Sequence, residues 1–165
     1  MALIYISVGS NIDREHYVRA GVRKLAEHFG ALTLSSVYES EAVGFNGDPF
    51  YNLVVGVETT LSLTECVRLL KEIEDQFGRV RGAEKFCGRT LDLDLLTYDQ
   101  LVCQQPVALP RGEITENAFV LWPLAEIAAE QIHPLTQLSY ATLWQNYNKP
   151  QKLSLIHISE PTRPY

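Results

Sequence analysis

The stretch Arg89-Thr90-Leu91-Asp92-Leu93-Asp94-Leu95-Leu96 alternates leucine with a polar residue, and this period of two predicts a β-strand with one buried face. Asp92 and Asp94 then share the opposite face, one pleat apart. Aspartate forms strands poorly, and neighbouring carboxylates repel each other unless a cation lies between them or protons neutralise them. Mg²⁺ prefers oxygen ligands and is commonly held by one or two carboxylates together with substrate phosphates. The pattern therefore fits either a magnesium site or an edge strand with an acidic outer face, and the strand alone does not decide between them.

Positive charge is concentrated immediately before this strand. Four cations precede it and only Glu84 opposes them, although the whole chain carries a formal net charge of −6. The cations are Arg79, Arg81, Lys85 and Arg89. Cations beside a carboxylate pair suit an anionic ligand that brings its own metal ion, such as a nucleoside triphosphate. The alternative is that these cations only form ion pairs with the neighbouring acids.

The length and composition indicate one globular domain. The chain has 165 residues, of which 46% are hydrophobic and 21% charged, and this is enough for a substantial buried core. A pI near 5.2 argues against general nucleic-acid binding, and no apolar run approaches the roughly 20 residues that span a membrane. The N-terminus has no signal-peptide pattern, and the three cysteines lack metal-ligand spacing, so we expect a cytoplasmic protein without disulfides.

Hydrophobic periodicity predicts the elements of the first hundred residues. Strands are predicted at Leu3 to Val8, Leu32 to Tyr38 and Phe50 to Thr59 and in the stretch quoted above, and helices between Asp13 and Gly30 and between Ser62 and Gly78. Gly9-Ser10-Asn11 is interpreted as a turn, Asp13 as an N-cap, and Ser62 with Glu65 as a capping box. The order β-α-β-β-α-β is that of a ferredoxin-like α+β fold, with an antiparallel sheet and both helices on one of its faces.

The rest of the chain is less regular. Asn117 to Ile127 is apolar and is predicted either to cover the sheet or to extend it, and Ser139 to Tyr147 is predicted to form a short helix. We interpret residues 1–150 as a single domain. Leu153 to Tyr165 continues no pattern and resembles translated sequencing-adapter DNA, so we expect residues 151–165 to be a non-native or disordered tail that packs poorly.

Five short motifs occur in order within about residues 1 to 147. They are Gly9-Ser10-Asn11, Phe50-Tyr51-Asn52, Gly78-Arg79-Val80-Arg81, the stretch from Arg89 to Leu96, and Phe119-Val120-Leu121-Trp122-Pro123-Leu124. Together they resemble the 6-hydroxymethyl-7,8-dihydropterin pyrophosphokinase family of folate biosynthesis. The resemblance implies transfer of the terminal diphosphate of ATP to the hydroxymethyl oxygen of a reduced pterin, with release of AMP.

The resemblance also implies roles for individual residues. Asp92 and Asp94 would hold Mg²⁺, two ions in all, between ATP and the pterin hydroxyl, and Arg79 and Arg89 would be the catalytic arginines. The implied pterin contacts are Ser40, Val43, Phe50, Asn52, Phe86 and Phe119. The implied nucleotide contacts are Lys71, Glu74, Arg81, Lys85, Leu95 and Arg111. From the residues alone, Phe50 and Phe119 are better explained as core aromatics, and Asn52 is equally explained as a turn or edge-strand amide.

Several of these positions depart from the family pattern. The family usually has Arg-Trp-Gly-Pro where this chain has Lys85-Phe86-Cys87-Gly88, a histidine in place of Arg111, an arginine in place of Asn117 and a glutamine in place of Lys71. The metal and pterin residues are kept while the nucleotide contacts differ, which indicates a divergent branch. A pterin-binding regulatory paralogue with weak or no catalysis is the alternative, and a single-stranded RNA binder is a third possibility by fold analogy alone.

The partners implied are small molecules, a reduced pterin and ATP, with no nucleic acid and no membrane. We expect the protein to be a monomer.

Overall fold

The computed structural model describes residues 1–40, 49–78 and 90–149, together with the backbone of residues 153–156. The elements in chain order are β1 (Ala2–Ser10), α1 (Arg14–Phe29), β2 (Thr33–Leu34), β3 (Val37–Ser40), β4 (Phe50–Thr59), α2 (Leu63–Gln76), β5 (Asp92–Tyr98), α3 (Glu113–Glu116), α4 (Ala118–Ile127), α5 (Tyr140–Gln145) and β6 (Leu153–Ile156). The strands form one antiparallel sheet in the order β5-β1-β4-β3-β6, with β2 beside β4. Strand β4 lies between β1 and β3, and β1 lies between β4 and β5, so the predicted ferredoxin-like α+β fold is confirmed.

Helices α1 and α2 pack on the same face of the sheet, as predicted. Their apolar stripes share one hydrophobic cluster with alternate residues of the central strands, including Ile6 of β1 and Val55 of β4. The helix residues in this first cluster are Val18, Val22, Leu25, Cys66, Leu70 and Ile73. Because strand side chains alternate between faces, the residues between these positions point to the other side of the sheet.

Helix α4 covers that other face, which decides between the two expectations for Asn117 to Ile127. Val120, Leu121 and Leu124 of α4 form a second hydrophobic cluster with Tyr5 of β1 and Val54 of β4. The fold therefore has three layers, with α1 and α2 on one side of the sheet and α4 with α5 on the other.

The sequence predicts a single strand at Leu32 to Tyr38, but the structure has two strands there, β2 and β3. The prediction of one continuous strand is therefore wrong. Ser35 lies between the two pieces, and its backbone N–H donates to the Val54 carbonyl at 3.0 Å. Its hydroxyl accepts a hydrogen bond from the Val54 backbone N–H at 2.9 Å. A side-chain oxygen thus replaces a main-chain carbonyl in the ladder, and the regular pairing is interrupted there.

The helix ends agree with the sequence except at the start of α1. Ser62 and Glu65 form the predicted capping box, and Gly30, with φ of 87°, ends α1. Asp13 occupies the N-cap position, but its φ of 46° is left-handed and its side chain makes no capping hydrogen bond. A capping side chain needs an extended backbone to reach the first-turn N–H groups, so Asp13 is at the predicted N-cap position but does not cap the helix through its side chain.

Strand β5 contains a bulge. Ile6 pairs with Leu95 and Tyr5 with Thr97, so Leu96 is an extra residue with no Cα partner on β1. Leu95 belongs to the first hydrophobic cluster and Leu96 to the second. The bulge shifts the phase of the strand beyond Leu95 by one residue.

The edge of β3 is occupied by β6, whose backbone pairs from Leu153 to Ile156 with residues from Ser40 back to Val37. This differs from the expectation that Leu153 to Tyr165 packs poorly. An unpaired strand edge offers N–H and C=O groups to any extended segment, and such backbone pairing needs no side-chain pattern. The division into residues 1–150 and a non-native tail stays a prediction.

Within the described part of the chain, no helix combines the length and the apolar composition needed to cross a bilayer.

Candidate active site

Asp92 and Asp94 lie on one face of β5, as the alternation predicts. Both are half-buried, whereas Leu93 and Leu95 are 4% and 2% exposed and lie in the first hydrophobic cluster. The leucines therefore fix the direction of the aspartates, because rotating the strand to hide the carboxylates would expose the leucines to water.

A cavity of about 220 Å³ lies beside β5, between α2 and residues 106–111. Six residues singled out from the sequence line it together: Lys71, Glu74, Asp92, Asp94, Leu95 and Arg111. The structure thus brings both predicted metal ligands and every described residue among the predicted nucleotide contacts to one concave surface.

Glu74 joins α2 to the edge of β5 between the two aspartates. Its side chain is buried, and its Oε2 accepts a hydrogen bond of 2.7 Å from the Leu93 backbone N–H. An edge-strand N–H has no neighbouring strand to pair with, so this carboxyl oxygen takes the place of one. Glu74 thereby fixes the residue that separates Asp92 from Asp94.

Arg111 is held against β5 by the bulge. Its backbone N–H donates to the Leu96 carbonyl at 2.9 Å, and its Nε donates to the Leu95 carbonyl at 3.1 Å. Consecutive carbonyls of a regular strand point to opposite edges, so the extra residue is what allows both to face Arg111. Its Nη2 then lies 3.7 Å from Oδ1 of Asp94. Both side chains are partly exposed, so this ion pair contributes little to stability, and its consequence is the position of a cation in the cavity wall.

Three of the predicted pterin contacts, Ser40, Phe50 and Asn52, lie on the same sheet face as the aspartates. In the register of the sheet, Gly9 pairs with Asp92 on one side and with Asn52 on the other. Asn52 is buried, and its Nδ2 donates to Oγ of Ser40 at 2.7 Å. Two strand spacings, about 10 Å, therefore separate the backbone of Asp92 from that of Asn52.

Gly9 leaves the surface between these two residues without a side chain. A Cβ atom built on Gly9 would lie 3.0 Å from Oδ1 of Asn52 and 3.8 Å from Cδ1 of Phe50. The interpretation of Gly9-Ser10-Asn11 as a turn is wrong for its first two residues, because β1 continues to Ser10. A glycine inside a strand often marks the close approach of a ligand or another backbone, and this signal was available in the sequence.

The two predicted aromatic contacts that the structure describes, Phe50 and Phe119, lie in different layers of the fold. Phe50 begins β4 and is half-buried. Phe119 lies in α4, in the layer over the same sheet face, and packs against the second hydrophobic cluster. The remaining predicted site residues, Val43, Arg79, Arg81, Lys85, Phe86 and Arg89, lie outside the described residues.

The two aspartates suit a magnesium ion better than a metal held by protein alone. Across the described ranges, no group of three or more His, Cys, Asp or Glu side chains is arranged to hold a metal. Mg²⁺ keeps several waters and is usually bound by one or two carboxylates together with substrate phosphates. A pair of carboxylates on the wall of a cavity fits that requirement, and the cavity leaves room for the phosphates.

Comparisons with known sequences identify the family. Residues 5–129 match the family described as 7,8-dihydro-6-hydroxymethylpterin-pyrophosphokinase, HPPK. The chain is 34% identical over 138 residues to the 2-amino-4-hydroxy-6-hydroxymethyldihydropteridine pyrophosphokinase of Aquifex aeolicus, covering 82% of this chain and 86% of that protein. The Bacillus subtilis protein of the same name is 37% identical over 134 residues, covering 78% of this chain and 79% of its own length.

Some relatives are much longer. The folic acid synthesis protein fol1 of Pneumocystis carinii is 33% identical over 146 residues, yet the match spans only 20% of its length. A crystal structure of Plasmodium falciparum HPPK-DHPS with pteroate superposes with a TM-score of 0.72 at 12% identity, covering 88% of this chain and 42% of that one. At such low identity the superposition shows the fold alone, whereas the sequence matches show the family. The chain belongs to the 7,8-dihydro-6-hydroxymethylpterin-pyrophosphokinase family.

Proposed function

We propose that the protein transfers the terminal diphosphate of ATP to the hydroxymethyl oxygen of 6-hydroxymethyl-7,8-dihydropterin, releasing AMP, in folate biosynthesis. The observation that carries the proposal is the row Asp92, Gly9, Asn52 across one sheet face, with the cavity beside its acidic end. The row provides a metal-binding end, a bare centre and an amide end for one flat substrate.

In this reaction the hydroxymethyl oxygen attacks the β-phosphorus of ATP and forms a new O–P bond. The bond from that phosphorus to the oxygen bridging it to the α-phosphorus breaks, and AMP leaves with this oxygen and the electron pair. The hydroxyl proton is released to solvent. Such transfers depend on positioning and on neutralising the charge of the phosphate oxygens rather than on covalent catalysis by the protein.

The residues around the cavity supply that positioning. When bound, Mg²⁺ ions neutralise and orient the phosphate oxygens, and Asp92 and Asp94 are the carboxylates that would hold them, two ions by our proposal. Arg111 and Lys71 both line the cavity and contribute cations to it. Further cations for the phosphates are assigned from the sequence immediately before β5: Arg79, Arg81, Lys85 and Arg89.

The pterin would lie over Gly9 and Asn52, the centre and the amide end of the row. An amide such as that of Asn52 offers both a donor and an acceptor, and this matches the edge of a pterin ring. Ser40 supports the amide, and Phe50 and Phe119 provide aromatic faces. Val43 and Phe86 are assigned to the same pocket from the sequence.

The test is AMP formation by the purified protein with Mg²⁺, ATP and the reduced pterin. We expect one AMP per pterin diphosphate, and a fall in rate of about a hundredfold or more for Asp92→Asn and for Asp94→Asn, because each loses a carboxylate that holds the metal. Glu58→Gln, at an exposed position of β4, serves as the control and should keep the wild-type rate. Wild-type protein that forms no AMP would refute the proposal.

A second candidate, a pterin-binding regulatory paralogue, is favoured by Asn117, which stands at the start of α4 where the family usually has an arginine. Calorimetry that detects pterin binding in protein without AMP formation would select this candidate. A cytoplasmic location and a monomeric state are further parts of our proposal, and they rest on the sequence.

A further inference from the structure

We infer that Arg14 is a positioning residue for the pterin end of the site, an inference that rests on the proposed function. Arg14 is the first residue of α1, and it lies on the α1 side of the sheet. It belongs to none of the sequence motifs, and nothing in its sequence neighbourhood indicates a role in the site.

Arg14 makes three contacts that differ in kind. Its Nη1 lies 2.7 Å from Oε2 of Glu39 and donates to the Pro49 carbonyl at 2.9 Å. Its guanidinium carbon lies 3.9 Å from the centre of the Tyr51 ring, over the ring face. One side chain therefore joins the start of α1 to the end of β3 and to the beginning of β4.

The sheet register connects these contacts to the substrate face. Glu39 and Tyr51 are directly opposite each other on β3 and β4, so Arg14 holds both members of one cross-strand pair. The pairs on either side are Tyr38 with Asn52 and Ser40 with Phe50. We call the contacts of Arg14 with Glu39 and Tyr51 the clamp. Because faces alternate along a strand, this clamped pair points towards α1 while its neighbours point to the other face.

The three predicted pterin contacts on these strands are therefore each within one residue of a clamped position. Ser40 follows Glu39, and Phe50 and Asn52 flank Tyr51. Strand ends fray unless they are tied down, and a misplacement of about 1 Å at a binding site can cost a large factor in rate or affinity. Arg14 does not contact the substrate. It fixes the spacing between the end of β3 and the beginning of β4, and the pterin contacts lie on these two strand ends.

The test compares Arg14→Ala with Lys24→Ala as a control. Lys24 lies on the same helix, and its ion pair with Glu27, at 3.3 Å, stays within that helix. We expect Arg14→Ala to raise the KM for the pterin about tenfold, and to weaken pterin binding measured by calorimetry by the same factor. The KM for ATP and the kcat at saturating pterin should stay within about twofold, since the cavity beside β5 is not contacted by Arg14.

A second variant shows whether the effect passes through the clamp. Glu39→Gln removes the ion pair, and it should also raise the KM for the pterin. The double variant should be no worse than Arg14→Ala, because both changes break the same contact. Effects that multiply in the double variant would overturn the inference.

Two further results would overturn it. One is an unchanged pterin KM in Arg14→Ala. The other is a parallel loss of kcat and of affinity for both substrates, which would indicate a general loss of structure. Failure of the proposed function is a separate result, since it appears as a wild-type protein that forms no AMP.

Discussion

At the residue scale, a single glycine separates the acidic end of the site from its amide end. Gly9 has Asp92 on one side and Asn52 on the other, and it contributes no side chain to the face that they share. Any larger residue would fill the space in which we propose that the substrate lies. The affinity for the pterin should therefore fall if residue 9 carries even the methyl side chain of alanine.

We predict that Gly9→Ala weakens pterin binding about tenfold while leaving ATP binding unchanged. The new Cβ would lie 3.0 Å from Oδ1 of Asn52, so the amide must move by a few tenths of an ångström, and its alignment with the ring edge is lost. Calorimetric titration with each ligand measures both affinities.

Gly112→Ala is the control for this change, because a Cβ there meets nothing within 4 Å. If Gly9→Ala binds the pterin as tightly as the wild type, the substrate does not lie over the Gly9 row.

The sequence predicted part of this residue-level arrangement. The period of two placed Asp92 and Asp94 on one face, and the resemblance to the family selected the positions of Lys71, Glu74 and Arg111, which line the same cavity. The clamp by Arg14 was not predictable, because it joins residues 25 and 35 positions apart whose contact depends on the completed sheet. Local patterns do not report contacts of that kind.

Among the elements, α2 links the helix layer to the acidic strand. It begins with the capping box at Ser62 and carries Glu74, which binds the backbone of β5. The hydroxyl of Tyr98, at the far end of β5, donates to the Leu61 carbonyl just before the cap at 2.7 Å. Both ends of α2 are therefore tied to β5, and the tie at Glu74 forms part of the cavity wall.

We predict that Ser62→Ala lowers the free energy of unfolding by about 1 kcal/mol, because the Glu65 backbone N–H loses the Ser62 side-chain oxygen that caps it. Urea denaturation followed by circular dichroism gives the value. The neighbouring Thr64 is exposed and makes no cap, so Thr64→Ala should be close to neutral. Equal unfolding free energies for Ser62→Ala and the wild type would contradict a stabilising role for the box.

The extent of α2 and of β4 could be read from the sequence because each has a clear period and clear end signals. The bulge in β5 could not be predicted. The run Leu93-Asp94-Leu95-Leu96 is compatible with an uninterrupted strand, and only pairing with β1 shows that Leu96 is extra. The division between β2 and β3 was hidden for a similar reason, since a serine hydroxyl can substitute for a backbone acceptor without altering the hydrophobic pattern.

For the whole molecule, stability depends on both faces of the sheet being covered. The outer cover of the second face includes residues 131–140, where a buried histidine organises a turn. Nδ1 of His133 accepts hydrogen bonds from the backbone N–H groups of Leu135 and Thr136 at 3.2 and 3.1 Å. The His133 ring lies edge-on to Tyr140, a buried member of the second hydrophobic cluster.

We predict that the molecule loses stability as the pH falls below about 6.5, the ordinary pKa of histidine. Burial lowers the pKa of His133 in the folded state. The unfolded chain therefore binds a proton at a higher pH than the folded chain, and the contribution of the neutral ring is complete above 6.5 and declines towards the lowered pKa. Protonation of Nδ1 would also remove the acceptor for both N–H groups.

Urea denaturation at pH 7.5 and at pH 5.5 measures this loss. His133→Asn should reduce the difference in unfolding free energy between the two pH values, whereas His16→Gln, at an exposed position of α1, should leave it unchanged. An identical pH dependence in His133→Asn and the wild type would assign the effect to other groups.

The two carbonyls that hold Arg111 have a consequence for the entropy of binding. A long arginine side chain normally gives up most of its rotational freedom when it meets a phosphate, and that loss weakens the complex. Here the Nε of Arg111 and its main chain are already fastened to Leu95 and Leu96, so much of the loss occurs once, as the chain folds. The guanidinium of Arg111 therefore loses little further conformational entropy when an anion binds in the cavity. The entropic cost of that binding is correspondingly smaller.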